Sequence, residues 1–294
     1  MNAVAPFSSL AFEPVDYDPF AGGELALVVP TTESQREIWL ADQLCIEASL
    51  SFNLSVSLRF AGRLDVRALR AAMQDLIDRH DALRASVGPD GQSLGVLERF
   101  ELPLPISDLA DLDPGARDAV LAERLRSSVE TPFVLGGESL FRAELLRLAA
   151  DEHLLLLTAH HIVCDGWSWW VLVQELGALY GLHHGATDKP LATPASFAQF
   201  AMAEVEQQSE ATHAADEAYW LSRFPGEAPV LELPTDRPRP SQRSFASARE
   251  DHLLDEELLE LTNHPHAHSL SLLTARQAAT FRSIWPECFS MWSA

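Results

Sequence analysis

Apolar and polar residues follow regular patterns along the chain that predict both strands and helices. In residues 51–60 every second side chain is apolar, which predicts a strand with one buried face. Two more apolar stretches, 139–148 and 153–160, predict strands joined by a turn over AADE (149–152). The segment GPDG (88–91) has the residues of a tight turn and predicts a further pair of strands.

Three helices are predicted where a capping residue is followed by apolar residues spaced three or four positions apart. The capping positions are Thr32, Asp65 and Asp113, the last followed by Pro114. Gln35 stands three positions after Thr32 as the partner in a capping box. Two more helical stretches run from Trp167 to Tyr180 and from Pro194 to about Phe224. The mixture of helices and strands predicts an α+β fold, an α/β sandwich in which helices pack on a mixed sheet.

The composition argues against several classes of protein. The chain has 294 residues, of which 47% are hydrophobic, enough for one large domain or two smaller ones. A net charge of -22 repels nucleic acid and anionic lipid, so neither nucleic acid nor a membrane is expected as a partner. The first thirty residues contain no basic residue of a secretory signal. Three cysteines without paired spacing, Cys45, Cys164 and Cys288, suit a reducing compartment. We therefore expect a cytoplasmic protein.

Candidate chemistry is concentrated in LLLLTAHHIVCDGWSWWVLVQEL (154–176), which predicts a buried strand, a turn and a helix. Because neighbouring side chains on a strand point to opposite faces, His160 and His161 cannot enter the same pocket. One of them can face a substrate channel, where an imidazole is a natural proton acceptor for an attacking amine or hydroxyl. Asp165 could fold back from the turn into a buried salt bridge. The N–H of Gly166, near a helix start, could stabilise an oxyanion.

Simpler interpretations stay open on the residues alone. A hydrogen-bonded core pair explains His160 and His161 without chemistry, and a metal site is disfavoured because adjacent strand histidines diverge. The spacing from His160 to Asp165 also matches the glycerolipid acyltransferase pattern, a match that is common by chance. Cys164 has no evident histidine–acid relay, and His183-His184 suit a solvated loop after a helix.

Several segments, in the order of the family, resemble motifs of the condensation domains of nonribosomal peptide synthetases. AHHIVCDGWS (159–168) resembles their HHxxxDG motif, and RHDALRASV (79–87) resembles RHExLRTxF with Asp81, Ser86 and Val87 as replacements. TESQREIWLADQL (32–44) is similar to the opening SxAQxRLWxL motif, FAQFA (197–201) is a weaker match to YxDFA, and 218–240 looks like the connector of the family. The resemblance covers roughly residues 25–260.

The resemblance implies a chloramphenicol-acetyltransferase-like lobe, one half of a pseudo-dimer with a tunnel between its halves. The second histidine of the motif points into that tunnel in the family, so His161 is the implied catalytic residue. It would orient or deprotonate the acceptor amine and stabilise the tetrahedral intermediate. Gly166 is implied to provide space and a backbone N–H, with His160 in a supporting role.

The resemblance also assigns supporting roles around this histidine. Asp165 is implied to be structural and paired with an arginine, for which Arg79 and Arg84 are the candidates. Trp167 and Ser168 are implied to shape the pocket wall. Simple core packing explains Trp167, Trp169 and Trp170 equally well.

The implied reaction is amide bond formation between two substrates that are carried as phosphopantetheine thioesters. No directly bound cofactor is expected. The expected partners are peptidyl or acyl carrier proteins for the donor and the acceptor, together with neighbouring synthetase modules. Acyl transfer to a hydroxyl and epimerisation are the related reactions.

The resemblance divides the chain into a lead-in over 1–23, an N-terminal condensation lobe over 24–185, a helical connector with the start of an incomplete second lobe over 186–262, and an anomalous tail over 263–294. The tail has only three charged residues, Arg276, Arg282 and Glu287, which suits either a divergent ending or a shifted reading frame. The later family motifs GxFVNT, HQDYPFE and RDxSRNPL are absent. Two functions are therefore expected as alternatives: an enzyme segment that acts once the missing lobe is supplied, or a truncated, non-catalytic remnant or carrier-docking module.

Overall fold

A computed structural model describes residues 24–137, 139–207, 210–226 and 245. The predicted lead-in over 1–23 and the tail over 263–294 lie outside these residues. The described helices are α1 (Glu33–Asp42), α2 (Ile46–Leu50), α3 (Val66–Arg79), α4 (Pro114–Glu130), α5 (Gly166–His183), α6 (Phe197–Gln207) and α7 (Glu210–Arg223), with a 3-10 turn at Asp81–Arg84. None of these described helices is both long enough and apolar enough to cross a membrane.

The described strands form two sheets. One sheet has three antiparallel strands in the order β1 (Leu25–Pro30), β4 (Ser93–Leu97), β3 (Ala85–Val87). The other has four strands in the order β2 (Asn53–Ala61), β7 (Glu152–His160), β6 (Phe141–Ala149), β5 (Ile106–Asp108). Its strands are antiparallel except for the parallel pair of β5 and β6. The α+β fold expected from the sequence is confirmed.

β7 is one of the two inner strands of the larger sheet and is buried on both faces. Leu155 and Leu157 point into the main core, which the apolar faces of α3 and α5 complete. Leu154 and Leu156 point the other way, into a smaller cluster against α4. Helices therefore cover both sides of this sheet, which explains why β7 is a continuous apolar run rather than an alternating one.

The predicted helix caps are confirmed. The hydroxyl of Thr32 accepts the N–H of Gln35 (3.3 Å), and the amide oxygen of Gln35 accepts the N–H of Thr32 (3.1 Å), which completes the capping box. Asp65 caps α3 and Asp113 caps α4, with Pro114 at the first helical position. Each such cap contributes about 1 kcal/mol to helix stability, because it pairs N–H groups that lack a partner within the helix.

The GPDG turn joins β3 to β4 as predicted, and Gly91 is required there. Its φ angle is +71°, and a Cβ atom at this position would lie 2.5 Å from the Trp39 ring. Three short elements, β1, β5 and α2, were not predicted. β1 is an unalternating run of six residues, LALVVP, and such a short apolar run does not distinguish a strand from a helix.

Candidate active site

The two adjacent histidines lie at the end of β7 and differ in their surroundings. His160 is completely buried, and its ring lies between those of Phe52 and Phe133, with centroids 5.9 and 6.1 Å away. His161 is partly exposed and lines a groove, and its backbone N–H donates to the carbonyl of Phe52 (2.8 Å). The expected opposite orientation of the two side chains follows from this strand geometry.

The groove beside His161 has a volume of about 720 Å³. Its walls come from the start of α1, the segment around the 3-10 turn, the turn after β7, one side of α5 and the start of α6, and they include Gln35, Asp81, His161, Trp167, Ser168 and Glu175. A mostly apolar groove with a few converging polar groups is the usual setting of a small-molecule site. In the described part of the chain, no three side chains of histidine, cysteine, aspartate or glutamate form a cluster that could hold a metal ion.

Asp165 caps α5, and the predicted buried salt bridge is wrong. Its carboxylate accepts hydrogen bonds from the N–H (2.7 Å) and the hydroxyl (2.6 Å) of Ser168, while the same hydroxyl accepts the N–H of Asp165 (3.1 Å). Asp165 is exposed rather than buried. These bonds from Ser168 hold the pKa of Asp165 below its usual value, against a smaller opposing effect of burial; the nearby His161 also lowers it.

The two candidate arginines have other partners. Arg79 binds the carboxylate of Glu175 through Nε (3.1 Å) and Nη2 (3.2 Å), and Nη2 also donates to the carbonyl of Ala192 (2.7 Å). Arg84 donates to backbone carbonyl oxygens, among them that of Leu97 (3.0 Å). Arg79 therefore ties α3 to α5, two helices distant in sequence.

Gly166 is the first residue of α5. Glycine was expected here because a side chain would not fit, but the described residues leave room for one. A Cβ atom there would meet no atom within 4 Å, and the φ angle is not positive. Its N–H is one of the first four of a helix, which have no carbonyl partner within that helix. The positive end of the helix dipole lies at the same place.

The three tryptophans of the motif region separate into core and surface. Trp169 is 7% exposed and packs near Phe141, with ring centroids 6.1 Å apart. Trp167 is 74% exposed on the groove and lies beside Trp170, with centroids 6.1 Å apart. Core packing therefore explains Trp169, whereas Trp167, with Ser168, forms part of the groove wall.

Asp81 and Glu175 are polar residues of the groove whose roles the sequence did not reveal. Asp81 accepts hydrogen bonds from Ser196 and from the first residues of α6, more than 110 positions away. Glu175 holds Arg79 and also the Nε2 atom of His80 (2.7 Å). The only signal was the RHDALR motif itself, because local patterns do not indicate contacts between distant segments.

Three other residues with candidate chemistry, Cys164, His183 and His184, are unreactive or do not line the groove. Burial raises the pKa of the Cys164 thiol to about 12, and the nearby Asp165 adds to this, so the nucleophilic thiolate is not formed near neutral pH. His183 is the last residue of α5 and pairs with Asp75 at 2.7 Å, and the ring of His184 stacks on Tyr180.

The described fold and the histidine-bearing groove agree with the similarity to known proteins. The family model of the condensation domain matches residues 26–280, so the chain belongs to the condensation domain family. The match extends about twenty residues beyond residue 260, where the resemblance found in the sequence ends.

Curated relatives of the chain are much longer proteins. Chondramide synthase cmdD of Chondromyces crocatus is 35% identical over 230 residues, which cover 77% of this chain and 6% of that protein. Phosphinothricin tripeptide synthetase PhsC of Streptomyces viridochromogenes is 34% identical over 255 residues, which cover 86% of this chain and 23% of that protein. The chain therefore corresponds to a small part of each of these synthetases.

The chain is similar to solved structures over about half of the length of those structures. The starter condensation domain of rhizomide synthetase RzmA has a TM-score of 0.61 and 27% identity, covering 71% of this chain and 52% of that one. A chain from the complex of the X-domain and OxyB of teicoplanin biosynthesis has a TM-score of 0.61 and 29% identity, covering 72% and 47%. The chain thus spans about half of the condensation domains that it matches.

Proposed function

We propose that this chain supplies the histidine-bearing wall of an amide-forming condensation site, with His161 as the catalytic residue. The observation that carries the proposal is the partial exposure of His161 on the groove while His160, its neighbour, is buried. An imidazole on the wall of a groove is a common general acid or base for a bound substrate. Family membership supports the same role, because the histidine lies in the HHxxxDG pattern at 160–166.

The proposed step joins a donor acyl thioester to an acceptor amine. The amine nitrogen attacks the thioester carbonyl carbon, and its proton moves to the ring of His161 as the tetrahedral intermediate forms. The carbon–sulfur bond then breaks, and the thiolate that leaves takes a proton from the imidazolium. The negative charge of Asp165 stabilises the positive charge that His161 gains. The N–H of Gly166, at the start of α5, is the proposed donor to the oxyanion.

The proposed substrates are thioesters on the phosphopantetheine arms of donor and acceptor carrier proteins, in a cytoplasmic synthetase. Carrier proteins and neighbouring modules are therefore the proposed partners, and no cofactor is proposed to bind the chain itself. The similarity to phosphinothricin tripeptide synthetase PhsC supports this assignment. Two related reactions are possible at the same histidine: acyl transfer to a hydroxyl differs in the acceptor, whereas epimerisation uses no second carrier-bound substrate.

The experiment follows amide formation by mass spectrometry. The full chain is incubated with an acylated donor carrier protein and an aminoacylated acceptor, with and without the second half of a condensation domain from chondramide synthase. His161→Ala is compared with His184→Ala, a matched change at an exposed histidine away from the groove. We expect His161→Ala to lower the rate about 100-fold or more, since a general base contributes about 10²–10⁴-fold.

The possible outcomes separate the candidate functions. Equal rates for His161→Ala and the unchanged chain would refute the assignment of His161. No product under either condition would refute the enzymatic function and favour a docking module. The similarity to a chain of the X-domain–OxyB complex supports this second candidate, because that structure is a complex between two proteins. A docking module should still bind an acylated carrier protein, as measured by calorimetry, without forming product.

A further inference from the structure

α1 directs two polar side chains to the segment that contains His161. Gln35 and Asp42 are seven residues apart, two helical turns, so they lie on the same side of α1. The side-chain amide of Gln35 donates to the carbonyl of Ile162 (2.8 Å). The Oδ1 atom of Asp42 lies 3.5 Å from the Nε2 atom of His160. α1 therefore contacts the residues immediately before and after His161.

The hydrogen bonds of His160 define its tautomer. Its Nδ1 atom accepts the N–H of Ile162 (3.2 Å), so the neutral ring carries its proton on Nε2. The Nε2 atom lies 3.5 Å from Asp42 Oδ1, and in the described part of the chain neither atom has a partner at normal hydrogen-bond geometry. Because a buried polar atom without a partner costs free energy, the two groups stabilise each other even at this long separation.

Asp42 remains an acceptor in this buried position. Its side chain is 8% exposed, and that of His160 is 0% exposed. Burial raises the pKa of Asp42, but the interactions of its carboxylate with His160 and Ser49 outweigh burial, so the pKa lies below its usual value. The carboxylate is therefore ionised at neutral pH.

Hydrogen bonds fix the backbone on both sides of the His161 side chain. The N–H of His161 donates to Phe52, in the connection before β2. The N–H of Ile162 is held by the ring of His160, and the carbonyl of Ile162 by Gln35. Since the direction of a side chain follows from the backbone that carries it, these bonds determine how the ring of His161 enters the groove.

We propose that Asp42 and Gln35 are positioning residues for His161: Asp42 orients the ring of His160, and this ring and Gln35 together fix the peptide groups of Ile162. The proposal rests on the proposed function of His161 and adds a second helix to the site. Asp42 lies outside the groove and acts only through His160.

The variants separate the two parts of this arrangement. Asp42→Leu removes the acceptor for His160 at similar volume, and Asp42→Asn keeps an oxygen acceptor. Gln35→Glu keeps an oxygen for the N–H of Thr32 but removes the donor to the carbonyl of Ile162. The matched control is Asp75→Leu, which removes the partner of His183 at the C-terminal end of α5.

The first measurement is amide hydrogen exchange by nuclear magnetic resonance, with ring nitrogen shifts for His160. Asp42→Leu and Gln35→Glu should each increase the rate of amide exchange at Ile162 about tenfold or more, because each removes one buried polar interaction. Exchange in residues 154–158 of β7 should not change. Asp42→Leu should also shift the Nε2 signal of His160, because the Nε2–H group loses the carboxylate beside it while Nδ1 still accepts the N–H of Ile162. Asp42→Asn should change this signal less, and Asp75→Leu should leave all these signals unchanged.

The second measurement is amide formation in the assay described above. Asp42→Leu and Gln35→Glu should lower kcat about tenfold with KM changed less than about twofold, and Asp42→Asn should restore most of the rate. Unchanged exchange at Ile162 overturns the proposal whether or not the chain catalyses. Faster exchange with unchanged kcat also overturns it. If the unchanged chain forms no product, the proposed function fails, and the exchange and ring nitrogen shift results decide the positioning arrangement by themselves.

Discussion

Asp81 joins two parts of the chain that lie far apart in sequence, and replacing it tests how strongly they are held together. Its Oδ1 atom accepts the N–H groups of Ala82 (3.0 Å) and Phe197 (2.9 Å). Its Oδ2 atom accepts the hydroxyl of Ser196 (2.5 Å) and the N–H of Ala198 (3.1 Å). One half-buried carboxylate therefore caps the first turn of α6 and fixes it to the 3-10 turn beside the groove.

The size of the effect follows from these four bonds. Asparagine has nearly the same shape, but its NH₂ group donates, so in either orientation two of the four donors at Asp81 face another donor. A hydrogen bond to a charged group contributes about 1.5–3 kcal/mol, and loss of an N-cap costs about 1 kcal/mol. Because Asp81 is partly exposed, we expect Asp81→Asn to cost about 2 kcal/mol and Asp81→Ala about 3 kcal/mol of unfolding free energy.

The assay is urea unfolding followed by tryptophan fluorescence, with Asp111→Asn, an exposed change in the turn before α4, as the control. Burial raises the pKa of Asp81, but its hydrogen bonds outweigh burial and hold the pKa below its usual value. The folded protein thus binds this proton less tightly than the unfolded chain. The stabilisation is complete above the unfolded pKa of about 3.9 and is lost as the pH falls through the lower folded pKa. A loss below about 0.5 kcal/mol at neutral pH would refute the reasoning, since exposed substitutions stay within that range.

Three further predictions concern single residues. Because burial raises the pKa of Cys164 to about 12, iodoacetamide at neutral pH should label Cys45, which is exposed, and spare Cys164; equal labelling by mass spectrometry would contradict this. Trp169→Ala, in the core, should cost about 3–5 kcal/mol in urea unfolding, whereas Trp167→Ala should cost less than about 1 kcal/mol. Similar losses of stability in the two variants would contradict the different burial of Trp169 and Trp167. Burial, and next a neighbouring arginine, lower the pKa of His153, so stability should fall as the pH drops through about 6.5, where the unfolded chain gains this proton. His153→Gln should reduce this pH dependence, and an unchanged slope would show that another group causes it.

Sequence patterns that span only a few residues were sufficient to predict most of the helices and strands. Capping residues such as Thr32 and Asp65 act on atoms two or three positions away, so the sequence contains both partners of each bond. The continuous apolar run of β7 reflects cores on both of its faces. β5 could not be found in this way, because it has three residues and is defined by its pairing with β6, about forty positions later.

The site was predicted in part, for the same physical reason. The divergence of His160 and His161 follows from strand geometry alone. The partners of Asp42, Asp81 and Glu175 depend on which distant segments the fold brings together, and no local pattern specifies them. Asp165 was assigned to a distant arginine although a local explanation was available: an aspartate directly before a helix, followed three residues later by a serine that can return a hydrogen bond.

Two substitutions at Asp165 separate these explanations. Asparagine caps helices as well as aspartate does, so the capping role predicts that Asp165→Asn stays within about 0.5 kcal/mol of the unchanged chain and that Asp165→Ala loses about 1 kcal/mol. A buried ion pair would instead cost about 3–5 kcal/mol in both variants, because an arginine would be left without its partner. Urea unfolding measures the difference, and a large loss for Asp165→Asn would refute the capping assignment.

The same pair of variants tests the charge at the groove. If Asp165→Asn keeps its stability but forms amide more slowly, the negative charge itself acts on the nearby His161, since the cap is preserved and only the charge is removed. If both stability and rate are preserved, Asp165 serves only to begin α5, and the assistance to His161 must come from the uncharged groups around it. A slower rate for Asp165→Ala alone would then report the loosened start of the helix rather than electrostatics.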